Sequence, residues 1–213
     1  PAWGGLANSY FQLGKIEEAE VSIRNAIELN PSYFKSHFLL GTILIGQKKL
    51  QEAEIPLRKA IELSPNFADA YFNLGAILYS LGNLKEAEIA CRKAIELNPD
   101  FAYVHSNLGT ILKDLGRLEE AELSISKSIE LNPNYANAHS NRGNILRDLG
   151  KLKEAEKSCR KALELKPDFT RAYFSVSTLN YSGENKIWED KLFSENILNN
   201  KSKKELVDIY FAR

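Results

Sequence analysis

The stretch Ala68–Phe101, ADAYFNLGAILYSLGNLKEAEIACRKAIELNPDF, sets the organisation of the chain, because closely similar sequences precede and follow it. Five prolines show the period, each 34 residues after the last: Pro31, Pro65, Pro99, Pro133 and Pro167. A fixed period in this range is typical of repeat proteins, in which each unit packs only on its neighbours. The sequence therefore predicts an array of similar units rather than one central core.

The first half of this stretch predicts one amphipathic helix and the second half another. Apolar residues recur at helical spacing over 69–81 and again over 84–97. Gly82 interrupts the pattern, and because glycine takes positive φ without steric cost, it suits a tight turn between two helices. Each unit is therefore predicted to be a helical hairpin, which must stack on its neighbours to bury its apolar face.

The residues around each proline are predicted to end one hairpin and begin the next. Pro99 cannot continue a helix, since its ring removes the backbone donor. We expect Asn98 to adopt the left-handed cap conformation and Asp100 to be the N-cap of the following helix. Residues of capping type stand at the place of Asp100 in the other copies: Ser32, Asn66, Asn134 and Asp168.

The repeated columns resemble the signature of tetratricopeptide repeats (TPRs), in which W-x2-L-G-x2-Y is followed by A-x3-F and then P. The first copy has Trp3, Leu6, Ala7, Tyr10, Ala19, Ile23 and Pro31. Later copies have Tyr71, Leu74, Gly75, Leu78, Ala87, Cys91 and Pro99, then His105, Leu108, Gly109, Leu112, Ala121, Ile125 and Pro133. Leu40-Gly41 and Gly143 continue the small-residue column. The resemblance covers residues 1–169 as five copies: 1–33, 34–67, 68–101, 102–135 and 136–169.

This resemblance implies an all-α fold, a right-handed superhelical solenoid of stacked helix-turn-helix TPR hairpins. It also implies that the first helices of the hairpins line a concave groove that holds peptides. Such arrays are found in O-GlcNAc transferases and in bacterial TPR proteins. The partner implied by the resemblance is therefore a protein or a peptide.

Three positions depart from the repeat pattern. Lys48 stands where the other four copies have a turn glycine. Pro56 lies inside a predicted second helix, where the loss of a hydrogen bond to the carbonyl of Glu52 should kink that helix. Arg142 occupies the leucine column of the fifth copy.

Residues 170–213 follow the repeat only in part. Thr170–Tyr181 still predicts a first helix, whereas Ile187–Leu198 predicts an amphipathic helix without the signature and Ser202–Glu205 a capping-box helix start. We therefore expect a divergent sixth repeat and a helical junction, truncated at its end. The absence of methionine, together with an apolar pattern still running at Arg213, indicates a fragment of a longer protein.

The composition argues against several classes of partner. With 28 basic and 28 acidic residues the formal net charge is zero, so the basic surplus needed for nucleic acid or an anionic membrane is missing. The apolar stretch His37–Gly46 is far shorter than the roughly 20 residues of a membrane span. Cys91 and Cys159 lie two repeats apart among apolar neighbours, which favours buried free thiols and a reducing, cytoplasmic compartment.

The sequence predicts no catalytic residues, no metal site and no cofactor. His105-Ser106-Asn107 and His139-Ser140-Asn141 read like catalytic triplets, but consecutive helical residues point about 100° apart. The three histidines fall in the aromatic column of the repeat, so we expect packing between helices; repeat spacing also argues against convergence on one ion. The repeated Glu-Ala-Glu segments are interpreted as solvated outer faces of the second helices.

One column of the predicted groove is rich in asparagine. At equivalent positions of successive first helices the chain has Leu39, Asn73, Asn107, Asn141 and Ser175. An amide side chain offers a donor and an acceptor, which matches any peptide unit whatever its side chain. The column is similar to the asparagine ladder of O-GlcNAc transferase TPR regions and predicts a grip on an extended peptide backbone. The alternative is that asparagine is simply tolerated on a polar surface and binds water.

A second column changes character along the chain, running Phe11, Ile45, Tyr79, Lys113, Arg147 and Tyr181. Phe38 and Phe72 join its apolar half, and Asn144, Asp114 and Asp148 join its polar half. We expect a partner with apolar side chains over the first three copies and an acidic or polar stretch over the fourth and fifth. Asp114 and Asp148 leave open that Lys113 and Arg147 are simply neutralised.

The function predicted from these columns is a protein-interaction module that binds an extended peptide in its groove. The alternative is the substrate-recruiting arm of a larger transferase of glycosyltransferase or sulfotransferase type. It is prompted by the loose similarity of Ile187–Arg213 to the junction after TPR arrays in bacterial proteins that continue into a sulfotransferase-like domain. End-to-end self-association is a third possibility, since the terminal units of solenoids expose apolar faces.

Overall fold

The structure is a computed structural model that describes residues 2–179, and this part of the chain is all-α. The eleven helices of this described part are α1 (Ala2–Gln12), α2 (Ile16–Leu29), α3 (Phe34–Gly46), α4 (Leu50–Leu63), α5 (Ala68–Ser80), α6 (Leu84–Leu97), α7 (Ala102–Asp114), α8 (Leu118–Leu131), α9 (Ala136–Asp148), α10 (Leu152–Leu165) and α11 (Thr170–Leu179). The two helices predicted for the central copy are α5 and α6. The features predicted beyond Leu179 lie outside the described residues.

The chain divides into two compact units, unit 1 (Pro1–Asn107) and unit 2 (Leu108–Arg213). In unit 1, α1 packs on α2, α3 on α4 and α5 on α6, and each pair stacks on the next through α2 with α3 and α4 with α5. In unit 2, α9 packs on α10, with α8 against α9 and α10 against α11. These stacked helix pairs confirm the predicted all-α array of helical hairpins. No helix of the described part is long and apolar enough to cross a membrane.

Glycine permits the close approach of the two helices within a pair. A methyl group added at Gly75 would lie 2.8 Å from Sγ of Cys91, and one added at Gly143 would overlap Sγ of Cys159. Both cysteines are free and buried, as predicted, and burial raises the pKa of each thiol to about 12. The small-residue column therefore sets how closely the paired helices pack.

The turn inside each hairpin needs a left-handed residue, and one copy supplies it without glycine. Gly82 has φ +83°. In the second copy Lys48 takes this role with φ 63°, and it is the only non-glycine residue of the described part with positive φ. A side chain in this conformation costs about 1–2 kcal/mol, which glycine avoids.

The predicted caps are wrong. Asn98 has φ −142°, which is not the left-handed conformation. The N-cap is not at the place of Asp100 but one position later, where the copies have an aromatic residue. Phe67 is the N-cap of α5 and Tyr135 that of α9, and neither makes a side-chain cap hydrogen bond. The ring of Phe67 offers no hydrogen-bond acceptor for a cap, and it packs on the rings of Phe34 and Phe38 instead.

Helix α4 continues through Pro56, which lies inside it and is buried. The equivalent residues in the other copies are small: Ser22, Ala90, Ser124 and Ser158. Pro56 also lines a groove of about 510 Å³ with Ile55 and Leu40.

The Glu-Ala-Glu segments are only half solvated, which corrects the sequence interpretation. The first glutamate of each is exposed, whereas the second is at least partly buried and, in four copies, pairs with the arginine one turn later: Glu20–Arg24, Glu54–Arg58, Glu88–Arg92 and Glu156–Arg160. Burial raises the pKa of Glu20, but hydrogen bonds from Arg24 and Gln47 and nearby cations outweigh it, so the pKa lies below its ordinary value. Because Gln47 belongs to the next copy, this glutamate also links stacked hairpins.

The fourth copy breaks this pattern, and the break explains Arg142. Glu122 has Ser126 where the other copies have arginine. It pairs instead with two residues of the next copy, Lys151 at 2.8 Å and Arg142 at 3.6 Å. The arginine in the leucine column and the missing arginine one turn after Glu122 therefore compensate each other.

We predict that Lys48→Gly raises the free energy of unfolding by about 1 kcal/mol, because glycine removes the steric cost of positive φ. The matched control is Lys49→Gly, since Lys49 has φ −86° and gains nothing from the change. Urea unfolding followed by circular dichroism measures both variants. No gain at Lys48, or an equal gain at Lys49, would show that the turn is not strained.

We predict that Glu122→Gln lowers the free energy of unfolding by on the order of 1–2 kcal/mol, because it leaves the partly buried Arg142 without its carboxylate. Glu119→Gln, at an exposed position of the same helix, should have little effect. In an Arg142→Leu background, which restores the leucine column, the cost of Glu122→Gln should fall. Equal costs in both backgrounds would rule out the compensation.

Candidate functional site

The residues predicted to bind a partner all lie on first helices of the hairpins and are all partly buried. We call the side of the first helices that carries them the first-helix face of each unit. In unit 1 it holds Phe38 on α3, Phe72, Asn73 and Tyr79 on α5, and Asn107 on α7; in unit 2 it holds Lys113 on α7 and Asn141, Asn144 and Arg147 on α9.

Two asparagines of the predicted ladder are held by a threonine of the preceding copy. Nδ2 of Asn73 donates to Oγ1 of Thr42 at 3.2 Å, and Nδ2 of Asn141 donates to Oγ1 of Thr110 at 3.1 Å. Each pair is 31 residues apart, three short of the repeat period, a recurring spacing that the sequence analysis did not use. The bond fixes the amide plane and, at Asn73, leaves Oδ1 and one N–H for another partner.

Asn107 differs from these two asparagines because the preceding copy offers it no hydroxyl. The residue 31 positions earlier is Ala76, and within the described residues the Asn107 side chain makes no hydrogen bond. The same contact recurs with reversed polarity in unit 2, where the Ser175 hydroxyl donates to Oδ1 of Asn144 at 3.0 Å. The ladder therefore contains tethered and untethered amides.

The aromatic residues of the face pack partly on the chain between hairpins. The rings of Phe38 and Phe67 meet edge to face with centroids 4.8 Å apart, and those of Phe72 and Phe101 are tilted at 5.0 Å. In each pair the second ring precedes the next first helix. Phe38 and Phe72 therefore have a structural role as well as a place on the face.

The two basic residues carry their own counter-charges. Nζ of Lys113 lies 2.8 Å from Oδ1 of Asp114, and Nη2 of Arg147 lies 3.3 Å from Oδ1 of Asp148. The neutralisation that Asp114 and Asp148 left open in the sequence is therefore present in the structure. The first-helix face of unit 2 is therefore polar but not strongly basic.

The three histidines are bound to backbone carbonyls of the repeated prolines. Nε2 lies 2.7 Å from the Pro31 carbonyl oxygen in His37, and 2.8 Å from those of Pro99 and Pro133 in His105 and His139. The hydroxyl of Tyr173 donates to the Pro167 carbonyl in the same way at 2.9 Å. Among residues 2–179 no group of three or more His, Cys, Asp or Glu side chains is arranged to hold a metal ion. At these four positions the column therefore ties the first helix to the preceding turn.

Comparisons with known proteins agree with this architecture. A family model described as "Tetratricopeptide repeat" matches residues 1–33, 68–101, 102–135 and 136–169. A second, described as "TPR repeat", matches residues 43–82. No curated protein matches the sequence.

Several solved structures are similar to this chain. YrrB, described as a TPR protein with an unusual peptide-binding site, is 25% identical, with a TM-score of 0.68 over 80% of this chain and 88% of YrrB. PilF of Pseudomonas aeruginosa is 22% identical, with a TM-score of 0.79 over 100% of this chain and 96% of PilF. MamA of Desulfovibrio magneticus is 20% identical, with a TM-score of 0.72 over 79% of this chain and 95% of MamA.

We predict that His139→Tyr keeps the stability of the chain, because a tyrosine hydroxyl makes the equivalent bond at Tyr173. His139→Phe should lower the free energy of unfolding by about 1 kcal/mol, since it keeps the ring but leaves the Pro133 carbonyl without its donor. Thermal unfolding of both variants distinguishes them. Equal losses in the two variants would mean that the hydrogen bond contributes nothing.

Proposed function

Because the chain belongs to the tetratricopeptide repeat family, we propose that it is a protein-interaction module whose first-helix face binds an extended peptide segment of a partner protein. The observation that carries the proposal is the threonine-held asparagine, Asn73 on Thr42 and Asn141 on Thr110. The Asn73 amide, held in one orientation, presents its remaining groups to a peptide unit at a lower entropic cost than a mobile amide. The description of YrrB as having a peptide-binding site supports the same reading.

The ladder alone binds weakly. A net hydrogen bond contributes roughly 0.5–1.5 kcal/mol, so three asparagines provide on the order of 3 kcal/mol. Micromolar affinity needs about 8 kcal/mol, and side-chain contacts must supply the difference. The ladder therefore fixes the path of the peptide backbone, and the neighbouring side chains select its sequence.

We assign apolar ligand side chains to unit 1, over Phe38, Phe72 and Tyr79. Over Lys113, Asn144 and Arg147 of unit 2 we assign polar ones. Since Asp114 and Asp148 already neutralise the two cations, neutral polar side chains suit this face better than a run of carboxylates.

The test begins with a phage-displayed library of random linear peptides, selected on the 213-residue chain. The strongest selected peptide is labelled with fluorescein and its dissociation constant measured by anisotropy. We expect Asn73→Ala and Asn141→Ala each to weaken binding by about threefold to tenfold, the effect of one net hydrogen bond. Asn66→Ala, at an exposed turn asparagine, is the matched control and should leave the dissociation constant unchanged.

Ala76→Thr gives the same experiment a gain-of-function arm. A hydroxyl at this position supplies Asn107 with the acceptor that Thr42 and Thr110 give their asparagines, so we expect tighter binding by roughly twofold to fivefold. The gain should vanish in the Asn107→Ala background. The proposed function would be contradicted if no peptide were selected. It would also be contradicted if the selected peptides bound equally well after Asn73, Asn107 and Asn141 were all changed to alanine.

A further inference from the structure

A large cavity in unit 1 is lined by residues of α1, α2 and α3, among them Phe38 of the first-helix face. Its volume is about 990 Å³, at the upper end of the roughly 300–1,000 Å³ usual for ligand pockets. Most of the side chains that line it are apolar, among them Trp3, Tyr33, Phe38 and Phe67. Leu39, which stands in the column of Asn73, also lines it. A peptide that follows the asparagine column therefore reaches this cavity.

Beside this cavity the first copy lacks a ring that the next two copies have. Phe38 packs on Phe67 and Phe72 packs on Phe101, with ring centroids 4.8 and 5.0 Å apart. One repeat earlier, the residues at the places of Phe38 and Phe67 are Gly4 and Tyr33.

The ring of Tyr33 remains, but the partner ring is absent. Tyr33 is 47% exposed. A Cβ atom added at Gly4, or at its neighbour Gly5, meets nothing within 4 Å. The second and third copies thus each contain this aromatic pair, whereas the first copy has only one of its two rings.

One charged residue lines the cavity. Lys35 has its ammonium 5.9 Å from the ring centroid of Phe34, and no carboxylate of the described residues pairs with it. This cation contrasts with Lys113 and Arg147, which both have aspartate partners. It is therefore available to an anionic group of a ligand.

We propose that this cavity takes an aromatic side chain of the bound peptide, which packs against Tyr33 as Phe38 packs against Phe67, while Lys35 pairs with an adjacent carboxylate. The inference rests on the proposed function and gives it a sequence preference. The ligand class is an extended segment that carries a phenylalanine, tyrosine or tryptophan beside an aspartate or glutamate.

The test uses the same random peptide library, selected in parallel on the unaltered chain and on Gly4→Phe and Lys35→Glu. Gly4→Phe supplies the missing ring from within the chain and so occupies the part of the cavity beside Tyr33. We expect peptides selected on the unaltered chain to share an aromatic residue beside an acidic one. This aromatic preference should be lost on Gly4→Phe, and the acidic residue should be replaced by a basic one on Lys35→Glu.

The dissociation constant of the strongest peptide gives the quantitative arm. Replacing its aromatic residue by alanine should weaken binding to the unaltered chain by about tenfold to a hundredfold, the effect of burying one ring. The same replacement should change binding to Gly4→Phe by less than about twofold. Glu154→Phe adds a ring at an exposed position of α10 and should behave like the unaltered chain. Tyr33→Ala, with Tyr135→Ala as its matched control, removes one wall of the cavity and should weaken binding even if Gly4→Phe does not fold.

The outcomes separate this inference from the proposed function. Suppose that peptides bind and their binding depends on Asn73. If they then show no aromatic preference, or if replacing their aromatic residue weakens binding equally to Gly4→Phe and to the unaltered chain, the cavity proposal is wrong and the proposal for the asparagine ladder stands. If no peptide is selected, both are wrong.

Discussion

The close approach of the two helices in each pair is the constraint on which the remaining structure depends. At Gly75 and Gly143 there is no room for a methyl group, because the cysteine of the second helix occupies the space in which it would lie. This contact fixes the distance between the paired helices. In α3, α9 and α11 the hydrogen bond from a histidine or tyrosine to the repeated proline carbonyl then ties the first helix to the preceding turn. Equivalent first-helix residues therefore recur in equivalent surroundings.

This regularity also decides which asparagines of the proposed peptide-binding face are held in place. An amide bonded to a threonine of the preceding copy is a consequence of stacking, and the same threonine column makes Asn107, opposite Ala76, the exception. The cavity beside Gly4 is a second example of such a difference, since a ring present in two copies is missing in the first. Differences between copies, rather than the repeat itself, distinguish the parts of the face.

Much of the fold follows from the sequence, because helical periodicity and a fixed period are local signals. Helix α6 has the predicted bounds, and α5 differs by one residue at each end. The caps at Asn98 and Asp100 were mispredicted because the prediction considered only residue type. In the chain, the aromatic residues Phe67 and Tyr135 stand at the N-cap positions. The pairing of Glu122 with Arg142 and Lys151 could not be predicted from one copy, since it needs the loss of an arginine in one hairpin and its gain in the next. For the candidate site, the sequence pointed to the asparagines proposed to bind a peptide. It did not point to the threonines that hold two of them, nor to the cavity beside Gly4 and Gly5.

The measurement that tests the constraint most directly is a double-mutant cycle on Gly75 and Cys91, read as the free energy of unfolding in urea. Gly75→Ala places a methyl group 2.8 Å from Sγ of Cys91, and we expect it to cost about 1–3 kcal/mol. With Cys91→Ala the sulfur is gone and the nearest remaining atom, the Ala87 carbonyl oxygen, is 3.4 Å away. The double variant should therefore be more stable than the sum of the single effects by about 1 kcal/mol or more. Additive effects would contradict the claim that this contact sets the spacing of the helix pair.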